Sequence, residues 1–102
     1  ALAIYPQIGA RLGEANVLAS LARIEVLDGR SESAMDLLSK AITFYQSLND
    51  RYSIAAQLGN FGLTLRQFGR NDEAKPFLLQ SAEIFDEIHL PQYAQQLRRA
   101  AS

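Results

Sequence analysis

The sequence predicts an all-α fold built from antiparallel helix pairs. It repeats itself at an offset of 40 residues, and apolar residues within each repeat recur at spacings of three and four. Such spacings place side chains on one face of an α-helix, whereas a strand would show alternation. Glycines also stand at equivalent positions between the apolar stretches. A recurring helix–turn–helix unit is therefore the expected building block.

The internal repeat covers residues 4–42, which align with residues 44–82 without a gap. A third copy begins at Phe85, so the chain holds about two and a half units of 40 residues. Eight positions are identical between the first two copies. The identical pairs are Tyr5 and Tyr45, Arg11 and Arg51, Ala15 and Ala55, Leu18 and Leu58, Gly29 and Gly69, Arg30 and Arg70, Ala34 and Ala74, and Leu38 and Leu78.

Each unit is predicted to contain two helices, and the second helix of each unit carries an apolar stripe on one face. In unit one this stripe contains Ala34, Leu37, Leu38, Ala41, Tyr45 and Leu48. In unit two it contains Ala74, Phe77, Leu78, Ser81, Phe85 and Ile88.

Glycine and proline predict the turns. Gly29 and Gly69 follow helical stretches, where glycine readily adopts the left-handed conformation that ends a helix. Turns between successive pairs are predicted at residues 49–50 and at the equivalent residues 9–10. Pro91 is predicted to open the last helix, because the first turn does not need its missing N–H.

Residues 1–102 are predicted to form a single domain. Residues 1–9 are assigned to the end of a preceding repeat, 10–49 to repeat one, 50–89 to repeat two, and 90–102 to a C-terminal capping or partial-repeat helix. About three units are usually needed for a stable array. We therefore expect the sequence to be part of a larger, multidomain protein.

The pattern of large and small residues in unit two resembles the tetratricopeptide repeat. The matching residues are Leu58, Phe61, Gly62 and Leu65 in the first helix, and Ala74, Leu78 and Ser81 in the second. The period of 40 is similar to that of the repeats of kinesin light chain and of bacterial signal-transduction ATPases and transcriptional activators. The resemblance implies helix pairs stacked as a right-handed superhelical α-solenoid with a function in protein binding.

Unit one departs from this pattern at Glu25, where a large apolar residue is usual. Burying an unpaired carboxylate would cost several kcal/mol. The side chain of Glu25 is therefore expected to reach solvent or a cation.

Composition excludes several classes of function. The chain has no cysteine, a formal charge of −1 and a single histidine, His89, without catalytic or metal-ligand spacing around it. It also lacks a membrane-spanning apolar run and a glycine-rich phosphate loop. We expect a cytoplasmic, non-enzymatic protein that has no cofactor or metal and does not bind nucleic acid or membranes.

The first helix of each pair lines a concave groove in tetratricopeptide arrays, so the resemblance implies a peptide or partner domain bound there. Carboxamides can donate to and accept from a peptide backbone, and a guanidinium can bind a carboxylate. The candidate residues are Asn16, Ser20, Arg23 and Leu27 in unit one, and Asn60, Leu63 and Gln67 in unit two. A regulatory protein-interaction module is the leading functional hypothesis.

Three alternatives remain open. The polar candidate residues are equally consistent with solvated helix faces. The segment could be a structural spacer or could form a homodimer through exposed apolar ends of the repeats. A small-molecule sensor would require an apolar pocket.

Overall fold

The computed structural model describes residues 4–102, with side chains described from Ala10 onward. Five α-helices and no strand occur in this part of the chain, which confirms the all-α prediction. The helices are α1 (Ile4–Leu27), α2 (Ser31–Ser47), α3 (Arg51–Gln67), α4 (Asn71–Glu87) and α5 (Pro91–Ala101).

The turns between the helices recur every 20 residues. In each turn an N–H bonds back to the carbonyl five residues earlier, as from Asp50 to Tyr45 at 2.9 Å, and so satisfies a carbonyl at the helix end. The predicted turns at Gly29, Gly69 and residues 49–50 are confirmed, as is Pro91 at the start of α5. Within residues 4–102, positive φ occurs at Gly29 (78°), Asn49 (54°), Gly69 (76°) and His89 (65°).

The turn predicted at residues 9–10 is wrong, because α1 runs through these positions from Ile4 to Leu27. Gly9 and Gly13 of α1 each cost the helix only about 1 kcal/mol relative to alanine, and residues 10–20 contain no proline. Residues 4–9, assigned to a preceding repeat, thus belong to the same helix as the start of repeat one. Residues 1–3 of that segment lie outside the described residues.

The chain divides into two compact units, one ending at Asp50 and the other spanning Arg51–Ser102. In the first unit α1 packs on α2, and in the second α4 packs on both α3 and α5. The sequence, in contrast, predicts one domain over residues 1–102. The boundary between the units lies within one residue of the boundary between predicted repeats one and two.

Small residues of α1 and both small and large residues of α2 form the core of the first unit. Tyr45 is fully buried, and its hydroxyl donates a hydrogen bond to Oδ1 of Asn16. The equivalent positions in the second unit are Phe85 and Ala56, so both partners of this hydrogen bond are replaced together. Among the side chains from Ala10 onward, the buried apolar residues of this unit are Ala15, Ala19, Ala22 and Val26 of α1, and Ala34, Leu38, Ala41 and Tyr45 of α2.

The carboxylate of Glu25, which replaces the large apolar residue expected at this position, is only partly neutralised by a nearby cation. Its side chain is 19% exposed, and Oε2 lies 3.7 Å from Nη1 of Arg30, which confirms the expected cation. That oxygen is nevertheless buried and has no hydrogen-bond partner. At the equivalent position the second unit has a buried leucine, Leu65.

Close approach between α3 and α4 depends on glycine. A Cβ on Gly62 would lie 2.8 Å from Cγ of the buried Leu78 and 3.2 Å from the carbonyl oxygen of Ala74. Phe61 of α3 makes an edge-to-face contact with Phe77 of α4 at a centroid distance of 4.9 Å. This packing holds α3 at a fixed position beside α4, and α3 in turn carries three of the predicted site residues.

Candidate functional site

An open cleft of about 270 Å³ lies between α3 and α5 of the second unit, with Phe85 of α4 at its base. Helices α3 and α5 both pack on α4, which fixes the width of the cleft. The lining residues are Tyr52, Ala56, Gly59, Asn60 and Leu63 of α3, Phe85 of α4, and Tyr93, Gln96 and Leu97 of α5.

Gly59 sets how closely α5 approaches α3. A Cβ on Gly59 would lie 3.2 Å from Cδ2 of Leu97 and 2.9 Å from Oγ of Ser81. Ser81 is itself buried, and its hydroxyl donates a hydrogen bond to the carbonyl of Ala55 in α3. The missing side chain therefore lets Leu97 close the inner side of the cleft while the outer side stays open.

Three aromatic rings form one part of the cleft. Phe85 lies 5.8 Å from Tyr52 in an edge-to-face arrangement and 5.3 Å from Tyr93 in a tilted one, both measured between ring centroids. Phe85 is buried, whereas both tyrosines are exposed. The buried ring thus supports two exposed rings, and such geometries are favourable beyond the area they bury.

Amide and hydroxyl groups form the polar part. Asn60 and Gln96 are exposed on facing helices, and the two tyrosine hydroxyls add further donors. Within residues 10–102, the polar ends of Tyr52, Asn60, Tyr93 and Gln96 have no hydrogen-bond partner. These four side chains are therefore free to bond to a ligand.

None of the described residues that line the cleft is charged. Two ion pairs involve residues that are next to the lining residues in the sequence. Arg51 binds Glu87 at 2.8 Å, and Arg98 binds Asp86. These exposed pairs contribute little to stability. Arg66, which lines the depression next to Leu63 and Gln67, is in neither of these two pairs.

The structure divides the seven predicted site residues between the two units. On α3, Asn60 and Leu63 come together in the cleft, while Gln67 lines an adjoining open depression with Leu63, Arg66 and Asn71.

The four predicted residues of the first unit all lie on α1. Oδ1 of Asn16 already accepts the Tyr45 hydroxyl, and Oγ of Ser20 accepts from Arg23 at 3.4 Å. Leu27 is exposed near the end of the helix. Three polar side chains proposed for ligand binding, those of Asn16, Ser20 and Arg23, thus have partners within the unit.

Sequence reasoning missed Tyr52, Tyr93 and Gln96, and placed Phe85 only in the core. The alignment at offset 40 pairs Tyr52 with Leu12 and Tyr93 with Ser53, so neither tyrosine is part of the repeat. A usable signal was present nonetheless. Tyr52 lies in the first turn of α3 and Tyr93 in the first turn of α5. The helix between them in the sequence, α4, has the aromatic residue Phe85 near its end.

Among the described residues, no group of three or more His, Asp or Glu side chains is placed to hold a metal ion. No helix within the described chain has the length and apolar character needed to cross a membrane. Comparison with protein-family models, with curated proteins and with solved structures finds no match for this chain.

Proposed function

We propose that this chain is a non-enzymatic protein-interaction module, and that the cleft of the second unit holds a segment of a partner protein. The observation that carries this proposal is the uncharged lining, which combines exposed aromatic rings with amide and hydroxyl groups. Aromatic residues are enriched at protein interfaces, and a few polar groups fix the orientation of what is bound.

The finer fold that we propose is the right-handed superhelical α-solenoid of the tetratricopeptide type, as a regulatory part of a multidomain cytoplasmic protein. It is supported by the 40-residue repeat, by the regular spacing of the turns, and by the small residue Gly62 opposite Leu78. Fold alone does not specify function, so the proposal about binding depends on the cleft itself.

Protein is favoured over nucleic acid as the partner by the charges around the cleft. Binding to a phosphate backbone requires several unpaired Lys or Arg side chains. Arg51 and Arg98 are both committed to carboxylates of α4. A peptide, in contrast, needs donors, acceptors and apolar surface, and the cleft supplies all three.

A random peptide library displayed on phage, selected against the immobilised chain, tests the proposal. The selected peptides should bind roughly tenfold or more weakly to Leu63→Lys, a loss of about 1.4 kcal/mol, because the lysine places a charge in an uncharged binding site. Asn60→Ala should weaken binding in the same direction through a lost hydrogen bond.

Leu79→Lys is the matched control, since Leu79 is 42% exposed and Leu63 is 40% exposed. Leu79 lies on α4 and does not line the cleft. Equal losses in the two lysine variants, or none in either, would place the binding surface elsewhere. A selection without enriched peptides would reject the proposed function.

Self-association is a second candidate function, favoured by one observation. Val17, Leu21 and Ile24 are all exposed on α1 at helical spacing and form an apolar stripe. Two copies of such a stripe could pack in a symmetric dimer.

Sedimentation velocity across a concentration range tests this candidate. Self-association predicts a dimer in the wild-type chain and in Leu79→Lys, and a monomer in Leu21→Lys, where a charge interrupts the stripe. A wild-type chain that stays monomeric at every concentration would exclude this function.

A further inference from the structure

The aromatic part of the cleft presents flat, exposed apolar surface to a ligand. Tyr52 of α3 and Tyr93 of α5 both contact the ring of Phe85 in α4. A large part of each tyrosine ring faces solvent. Exposed tyrosines held by a buried ring lose little conformational freedom on binding. The best complement for them is a side chain that is also rigid, flat and apolar.

The polar part of the cleft selects the backbone conformation of the ligand. A helix bonds its own carbonyl groups internally, so it would leave Asn60 and Gln96 without backbone partners. A β-strand needs the edge of a sheet, and residues 4–102 contain no strand. The polyproline II helix has no internal hydrogen bonds and presents every carbonyl to donors around it.

Charge restricts the ligand further. The cleft carries no charged side chain in the described chain, and the ion pairs beside it, Arg51 with Glu87 and Arg98 with Asp86, cancel. Transfer of a charged residue into such a site would cost free energy without compensation. A neutral segment is therefore the electrostatic complement of this surface.

Proline meets these three requirements together. Its ring is rigid and apolar, its residue offers a carbonyl acceptor but no N–H donor, and its backbone is already held near the polyproline II conformation. Grooves lined by aromatic side chains bind proline-rich segments in other proteins for the same physical reasons. A cleft of about 270 Å³ takes a short run of residues rather than a folded domain.

From these observations we infer that the cleft between α3 and α5 binds a proline-rich, uncharged segment in the polyproline II conformation. The proline rings pack on Tyr52 and Tyr93, and the ligand carbonyls accept hydrogen bonds from Asn60, Gln96 and the tyrosine hydroxyls. This inference rests on the proposed function, in which the same cleft holds a segment of a partner protein.

Isothermal titration of the chain with octaproline, acetylated and amidated to remove its terminal charges, tests the inference. The expected result is saturable binding that weakens roughly tenfold in Tyr52→Ala and in Tyr93→Ala. Tyr52→Phe keeps the ring and should lose less. A capped glycine–serine peptide of the same length should bind more weakly, because it must be ordered on binding.

Phe68→Ala is the matched control, since Phe68 is 53% exposed on the turn after α3 and Tyr52 is 52% exposed. It should bind octaproline like the wild-type chain, and circular dichroism should show all variants equally helical. Equal affinity for octaproline and the glycine–serine peptide, or binding unaffected by both tyrosine changes, would overturn the inference.

A peptide from the random library separates the two proposals. If octaproline fails to bind while a selected peptide binds and is weakened by Leu63→Lys, the polyproline inference is wrong and the proposed function stands. If neither peptide binds, both are wrong.

Discussion

Leu78→Ala is expected to lower the free energy of unfolding of the second unit by about 2–5 kcal/mol, the range for removing a buried leucine side chain. Leu78 is buried on α4 and lies directly against Gly62 of α3. The truncated side chain would leave a cavity between the two helices. Urea denaturation followed by circular dichroism measures the change.

Two companion variants show whether the loss comes from this contact. Leu79→Ala removes the neighbouring exposed leucine and should change stability little. Gly62→Ala should destabilise the wild-type unit by about 1–3 kcal/mol through overpacking, yet cost less in the Leu78→Ala background, where its methyl group has room. Additive effects of Gly62→Ala and Leu78→Ala would contradict the packing described for α3 and α4.

Glu25→Leu is expected to raise the free energy of unfolding of the first unit by about 1–3 kcal/mol. Oε2 of Glu25 is buried without a hydrogen bond, and its nearest cation, Arg30, is largely exposed at 3.7 Å. Leucine removes the free-energy cost of burying that oxygen. It is also the residue found at the equivalent position of the second unit, Leu65. The same urea experiment measures the gain.

Glu14→Leu serves as the control, because Glu14 is an exposed carboxylate on the same helix. It should leave stability within about 0.5 kcal/mol of the wild-type value, as is usual for surface positions. A loss of stability in Glu25→Leu would mean that the ion pair with Arg30 contributes more than the burial costs.

The fold was predictable where local chemistry determined it. Gly29 and Gly69 indicated helix ends because a left-handed residue is needed there, and both have positive φ. The turn predicted at residues 9–10 was wrong because it was inferred from the position of Gly9 in the repeat. The residues after Gly9 continue the helix α1. His89 shows the opposite case, since a left-handed non-glycine residue ends α4 without a glycine signal.

The candidate site was predictable only in part. Asn60 and Leu63 were predicted as site residues from their helical spacing, because this spacing shows which residues share one exposed face of α3. Tyr52 and Tyr93 could not be found in this way, since their proximity depends on both helices packing against α4 beside Phe85. A repeat alignment records what successive units share, and these tyrosines are features of the second unit alone.

Mapping a bound peptide by nuclear magnetic resonance tests most directly whether the cleft of the second unit is the binding surface. The chain, labelled at its backbone amides, would be titrated with the most enriched peptide from the library. We predict the largest shifts at Tyr52, Asn60, Leu63 and Tyr93, around the cleft. Shifts concentrated instead at the α1 stripe of Val17, Leu21 and Ile24 would contradict this assignment and place binding on the first unit.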